Sequence, residues 1–120
     1  MALPTGSGSE ILKRGYIDGQ AETEGTLITG VALHIYSIIS IIINERANIS
    51  DALFDLYVDP SAGGTDYFLL KNQALPSYTT FIFKDPFVLH GTDKLHIIGS
   101  SAGSTFGADI HISYVDADWS

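Results

Sequence analysis

The 120-residue chain contains no cysteine. Disulfide bonds and metal sites built from thiolates are therefore excluded. Without cysteine, the sequence does not indicate whether the protein works in an oxidising or a reducing compartment. A chain of this length buries a core large enough to fold without covalent cross-links. Its content of 45% apolar and 11% aromatic residues is typical of one globular domain.

Basic residues are also scarce, six against fourteen acidic ones, which gives a net charge of −8. Within residues 1–20, Lys13 and Arg14 balance Glu10 and Asp18, so the acidic surplus lies in the rest of the chain. Binding of nucleic-acid phosphates or of anionic membranes needs clustered lysine and arginine. We therefore expect neither a nucleic-acid partner nor a membrane partner.

No apolar run is long enough to cross a bilayer as a helix, which takes about 20 residues. The longest run, Leu33–Ile43, is rich in isoleucine, and β-branched residues favour a strand. The opening residues, MALPTGSGSE, lack the basic start and the apolar centre of a signal peptide.

What the sequence does contain is apolar residues that alternate with polar ones in short bursts. Phe54, Leu56 and Val58, for example, are separated by Asp55 and Tyr57. Successive side chains of a strand point to opposite faces, so this spacing indicates strands with one buried face. The same spacing recurs at Phe81 and Phe83, Phe87 and Leu89, Leu95 and Ile97, and Ile110, Ile112 and Tyr114.

The bursts and the turn residues between them predict an all-β fold, an antiparallel β-sandwich of jelly-roll type with about eight strands. Turn chemistry such as Asp59-Pro60 followed by two glycines, or Asp85-Pro86, separates several of the strands. The predicted strands are 26–31, 33–45, 52–59, 66–72, 78–84, 87–90, 94–99 and 107–116.

The N-terminal residues predict a flexible arm, residues 1–18, ahead of a sandwich domain of residues 19–120. Residues 1–9 are small and flexible, and the segment that follows is either an edge strand or a segment that orders on a neighbouring protein. We expect the arm to bind a partner through Glu10, Ile11, Leu12, Lys13 and Arg14. At the other end, an aromatic ring is costly to expose, so we expect Trp119 to pack on its own domain or on another subunit.

Residues Gly99–Gly103 match the G-x-S-x-G pattern of a nucleophile elbow, but no helix signature follows them. A hairpin loop explains this stretch better. No set of acid, base and nucleophile converges elsewhere, so we expect no enzymatic activity and no cofactor.

Metal binding has three weak candidates, and for each a simpler explanation is available. His96 and His111 would lie across from each other if their strands were neighbours, and a solvated pair is the simpler interpretation. Asp59 with Asp66, and Asp116 with Asp118, lack the spacing of a known calcium loop. We therefore predict no metal site, and these residues remain open candidates.

Apolar residues occupy both alternating sets of positions in Leu33–Ile43. One set comprises Leu33, Ile35, Ile39, Ile41 and Ile43, and the other holds Ile38 and Ile42. Since one set faces the core, the other needs cover from the arm, the C-terminus or another chain. This favours a homo-oligomer, either a dimer or a trimer.

Several segments resemble small virion structural proteins of tailed bacteriophages, many with marine and cyanobacterial hosts. These segments are GSGSEILKRG, LHIYSIISI, DLYVDPSAGGTDYFLL, FVLHGTDKLHI and SYVDADW, spread over nearly the whole chain. The resemblance implies a non-enzymatic component of the virion, assembled in the host cytoplasm. The role that it favours is a capsid decoration, or cement, protein that binds the major capsid protein or other virion proteins.

Two other functions stay open. Within the same group, a component associated with the neck, tail or fibre is the nearest alternative. A carbohydrate-binding adhesion module belongs to another class, and it requires exposed aromatic rings on one face.

Overall fold

The computed structural model describes residues 9–21, 23–47, 52–60, 65–100 and 107–119. These residues form nine strands, and none of them lies in a helix. The strands are β1 (Ser9–Gln20), β2 (Gly25–Thr29), β3 (His34–Glu45), β4 (Leu53–Asp59), β5 (Tyr67–Ala74), β6 (Thr80–Phe83), β7 (Phe87–His90), β8 (Lys94–Ser100) and β9 (Ala108–Asp118).

The strands form two antiparallel sheets that pack face to face. Sheet A has the order β1-β9-β3-β6, with β7 also paired to β3, and sheet B has the order β2-β8-β4-β5. The predicted all-β sandwich is confirmed. Each of the eight predicted strands is present, and β1 is the ninth.

The core lies between the two sheets and follows the alternation of the sequence. Ile41 and Ile43 from sheet A meet Leu56, Leu95 and Ile97 from sheet B, and all five are fully buried. Burial of a large aliphatic side chain contributes about 1.5–3 kcal/mol, so these rows supply much of the stability. Within the described part of the chain, no helix has the length and apolar character to span a membrane.

A β-bulge interrupts the alternation of β3. The register of β3 against β9 shifts between Ile38 and Ser40, so Ile38 and Ile41 both face the core although they are three residues apart. Ile39 faces outward and is exposed. The expectation that Ile39 shares a face with Ile41 is therefore wrong, because the extra residue of a bulge exchanges the two faces beyond it.

The N-terminal segment differs from the predicted arm. Ser9–Gln20 is a strand of sheet A that pairs with β9 from Ser9↔Asp118 to Gln20↔Ala108, so the boundary expected at residue 18 falls inside an element. Of the two alternatives for this segment, the edge strand is the one observed. Two contacts hold the segment on the sandwich: Ile17 packs against the core, and Gly15 fits closely beside the Ile112 side chain. The remainder of the expected arm lies outside the described residues.

One carboxyl group is fully buried at the end of β3. Glu45 Oε1 accepts a hydrogen bond from the Ala47 amide at 2.7 Å, and Oε2 accepts one from the Tyr78 amide at 2.8 Å. The Glu45 amide itself donates to the Thr79 carbonyl at 2.9 Å. Glu45 therefore fixes the turn between β5 and β6 against the end of β3.

Candidate functional site: two unlike outer faces

The outer face of sheet A carries large exposed apolar side chains among polar ones. It is formed by the side chains of β1, β9, β3, β6 and β7 that point away from sheet B, and we call it the apolar face. Leu12 is 71% exposed, Tyr16 63% and Ile39 48%. The large apolar side chains exposed on this face are Leu12, Tyr16, Ile39, Ile82 and Val88.

A groove runs along the apolar face above β9. One part of the groove is lined by Leu12, Ile39 and Ser113, the other part by Tyr16 and Ile42, and His111 of β9 lies between them. Two adjoining hollows of about 410 and 470 Å³ make up the groove. Both are open to solvent and lined mainly by apolar atoms, so the groove fits protruding apolar side chains of a partner.

The outer face of sheet B is polar and acidic by contrast. Asp55 accepts hydrogen bonds there from the Lys71 ammonium at 3.3 Å and from the Asn72 amide at 2.7 Å. Tyr57 donates its hydroxyl to Glu24, and burial together with this carboxylate raises the pKa of Tyr57 well above its usual value. Charged groups of this kind remain hydrated, which favours solvent over a protein partner on this side.

His96 lies within the acidic face. Its Nδ1 is 3.1 Å from the Thr26 hydroxyl and 3.7 Å from Glu24 Oε1, and its Nε2 is 3.9 Å from Asp59 Oδ2. His111 lies on β9 of the other sheet, against the Tyr16 ring. The condition under which His96 and His111 would lie across from each other is not met, because their strands belong to different sheets. Among the described residues, no cluster of three or more ligand side chains has metal-binding geometry.

The buried Asp116 is the centre of a partly exposed ion-pair network at one end of sheet A. Its Oδ2 lies 2.8 Å from the Lys13 ammonium and its Oδ1 lies 2.7 Å from His34 Nδ1. His34 Nε2 is in turn 3.4 Å from Asp118. Both C-terminal aspartates considered as calcium ligands thus have partners within the protein. Lys13, expected to bind a partner protein, joins β1 to β9, and its contact with a partner stays a prediction.

The pKa of Asp116 lies below its ordinary value. Burial alone would raise it, but the hydrogen bonds from Lys13 and His34 outweigh burial. A carboxyl group whose pKa is lowered by folding stabilises the protein fully above its unfolded pKa, about 3.9. That contribution is lost as the pH falls through the lower, folded pKa.

We therefore expect the free energy of unfolding to decrease as the pH is lowered below about 4. The D116N variant should be less stable at neutral pH and should lose less stability on acidification than the parent chain. Urea denaturation at several pH values measures both. Asp109, whose pKa is also lowered despite burial, by the Gly19 amide and Arg46, accounts for acid sensitivity that remains. Equal acid dependence of the two proteins would contradict this role of Asp116.

Of the other predicted binding residues, Glu10 and Arg14 point to the apolar face, whereas Ile11, which pairs with the buried Asp116, points to the opposite side of β1. Glu10, Ile11 and Arg14 are exposed on β1, and the Arg14 guanidinium carbon lies 5.5 Å from the centre of the Tyr16 ring. Trp119 is half-buried, and its amide donates to the Leu33 carbonyl at 2.9 Å. That contact ties the residue to its own chain, and a contact with another subunit stays a prediction.

Two candidate loops lie partly outside the described residues. Of the G-x-S-x-G match, Gly99 and Ser100 end β8, and residues 101–103 are outside the described part. Residues 61–64 of the Asp59–Asp66 turn are outside it too.

The exposed aromatic side chains of the described residues do not share one face. Tyr16 lies on β1 of sheet A, whereas Tyr67, which is 65% exposed, lies on β5 of sheet B. Phe68 follows Tyr67 directly and so points to the opposite side of the strand. A flat platform of rings for stacking a sugar is therefore not formed by these residues.

Comparison with known proteins shows the fold. No protein-family model and no curated protein sequence matches this chain. The VP2 subviral particle of infectious bursal disease virus is similar, with a TM-score of 0.63 and 14% identity over 95% of this chain. The Gx strain of the same virus gives a TM-score of 0.60 and 12% identity over 94% of this chain. The chain spans about a third of the length of these solved chains, 33% and 32%. The sandwich of this protein is thus a fold found in viral capsid proteins.

Proposed function

We propose that this chain is a non-enzymatic structural protein of a virion. The observation that carries the proposal is the fold, which matches solved viral capsid structures over 94–95% of the chain. The unequal outer faces fit the same role, because a particle component needs one surface for its neighbours and one for solvent. Placement in a virion that assembles in the host cytoplasm is part of this proposal.

Within that class, a capsid decoration protein of a tailed phage fits the residues best. Its partner is the major capsid protein, and its working unit is a homo-oligomer. The acidic face of sheet B then stays in contact with solvent, where like charge keeps particles apart. This role agrees with the resemblance of the sequence segments to virion proteins of tailed phages.

The edge strand β1 is the element that we assign to the shell. It is outermost in sheet A, so one side of its backbone is available to pair with a strand of another protein. Ile11 is 51% exposed beside that edge. Strand addition supplies hydrogen bonds, and burial of Ile11 supplies apolar contact.

The test is binding to empty shells assembled from the major capsid protein of the same phage. We expect the I11D variant to bind these shells about tenfold more weakly or worse, because docking would bury an unpaired carboxylate, and each 1.4 kcal/mol is a factor of ten. Co-sedimentation with shells measures this. A point variant is preferable to a truncation through residue 14, which would also remove Lys13 from Asp116.

Y67D is the matched control, since Tyr67 lies exposed on β5, the edge strand of the other sheet. It should bind shells like the parent chain. Failure of the parent chain to bind shells, with the protein found at the neck or tail of the particle, would refute the decoration role.

A further inference from the structure

We propose that the apolar face is the surface through which two copies of this chain associate, sheet A against sheet A, about a two-fold axis. It rests on the proposed function, which includes a homo-oligomer, and it names the interface of that oligomer. It is tested on the purified chain without shells, so its failure and the failure of shell binding are separate results.

The first argument is the concentration of exposed apolar side chains. Eleven large apolar side chains are exposed in the described part of the chain, and five of them lie on this one face. Exposed apolar side chains gathered on one face mark an interaction site.

The area of the face matches what a stable pair requires. Four strands side by side and a strand of eleven residues give a face roughly 20 Å wide and 35 Å long, or about 700 Å² per copy. Specific interfaces bury about 800 Å² per partner. The face is therefore large enough to hold a second copy without help from another surface.

Charge favours a second copy as the occupant. The chain carries −8, yet the charges on this face nearly balance: Glu10 and Arg14 are of opposite sign, and Asp18 and Asp109 share Arg46 at 2.5 and 2.8 Å. The acidic residues Glu24, Asp55 and Asp59 are on sheet B. Packing sheet A against sheet A thus keeps the acidic faces on opposite sides of the pair, where their repulsion is weakest.

The shape of the face suits a two-fold arrangement. In such an interface each copy offers the same surface, so a ridge on one must meet a groove on the other. Leu12 and Tyr16 form a ridge on β1, and the groove above β9 lies beside it. The ridge of each copy can occupy the groove of the other, in the aligned packing usual for two sheets about 10 Å apart.

Sedimentation of the purified full chain over a range of concentrations tests the pair. The parent chain should move from its monomer mass of 12.9 kDa to twice that mass as concentration rises. The double variant L12D/I39D should stay monomeric at every concentration, because it places four carboxylates in an apolar interface. Y67D should associate like the parent chain, and circular dichroism should show that all three are folded.

Thiol labelling identifies the face, since the chain has no cysteine of its own. S37C places one thiol on the apolar face and T29C places one on sheet B, both at exposed positions. Reaction with a maleimide should slow at least tenfold for S37C in the concentrated, paired protein and stay unchanged for T29C.

Three results would overturn the inference. They are a parent chain that remains monomeric at the highest soluble concentration, a pair that L12D/I39D leaves intact, and protection of T29C instead of S37C. A monomer whose S37C thiol is protected only on addition of shells would assign the apolar face to the major capsid protein instead.

Discussion

Replacing Phe54 with alanine is expected to lower the free energy of unfolding by about 3–5 kcal/mol, the largest loss that we predict for one side chain. Phe54 is 1% exposed on β4, and its ring meets the edge of Phe81 from the other sheet, with ring centres 5.4 Å apart. The change removes apolar burial and leaves a cavity between two sheets that cannot close fully around it. Urea denaturation followed by circular dichroism measures the loss.

F68A is the matched control on the neighbouring strand. Phe68 is exposed and contacts only the Tyr57 ring and the Lys71 ammonium among the aromatic and cation–π contacts of the described residues. Its loss should cost about 1 kcal/mol or less. A typical domain is stable by about 5–15 kcal/mol, so F54A is expected to be partly unfolded near physiological temperature while F68A is not. Equal effects of the two variants would contradict the central role of Phe54.

Substitution of Glu45 is expected to cause the second largest decrease in the free energy of unfolding. The E45A variant should lose about 2–4 kcal/mol, because the amides of Ala47 and Tyr78 each lose a hydrogen bond to a charged or polar acceptor. The Tyr78 backbone has a φ of 54°, a conformation that is unfavourable for a residue other than glycine. Without the carboxylate of Glu45, the Tyr78 amide loses the hydrogen bond that helps to hold Tyr78 in this conformation.

The E45Q variant separates hydrogen bonding from packing. Glutamine fills the same volume, but its amide nitrogen donates and cannot accept from the second backbone N–H. We therefore expect E45Q to be destabilised by more than 1 kcal/mol, measured by the same denaturation experiment. N44A changes the outward-facing neighbour on the same strand, which accepts a 3.3 Å bond from Thr80, and should cost less than about 0.5 kcal/mol. Full stability of E45Q would show that shape alone matters at this position.

The strands could be predicted from the sequence because their signal is local. Alternation such as that of Phe54, Leu56 and Val58 records which side of a strand is buried, and β4 begins and ends within one residue of the predicted limits. Turn residues mark the ends of most other strands in the same way.

Pairing between strands could not be predicted, since it depends on residues far apart in the chain. His96 and His111 have the same local pattern, and only the strand order places them on different sheets. The bulge at Ile38 and Ser40 is also invisible locally, because every residue around it is compatible with a regular strand. One inserted position was enough to exchange the predicted faces of β3.

Some residues of the candidate site have a local signal in the sequence, and others depend on strand pairing. Exposed apolar residues near the N-terminus, Ile11 and Leu12, are recognisable from sequence as a surface that needs a partner. The ion pair between Lys13 and Asp116 joins residues 103 positions apart, so no local sequence pattern predicts it. The apolar face combines side chains from five strands. Which isoleucines of β3 point outward depends on the bulge, so the sequence alone does not show this face.

The pairing of Ser9 with Asp118 has a consequence for how this unit can be used. The first and last described strands enter and leave the fold side by side, about 5 Å apart between paired Cα atoms. A surface loop of an unrelated protein could therefore carry the whole sandwich as an insertion, with little separation imposed on the loop ends. The two junctions between the sandwich and its host would then lie next to each other.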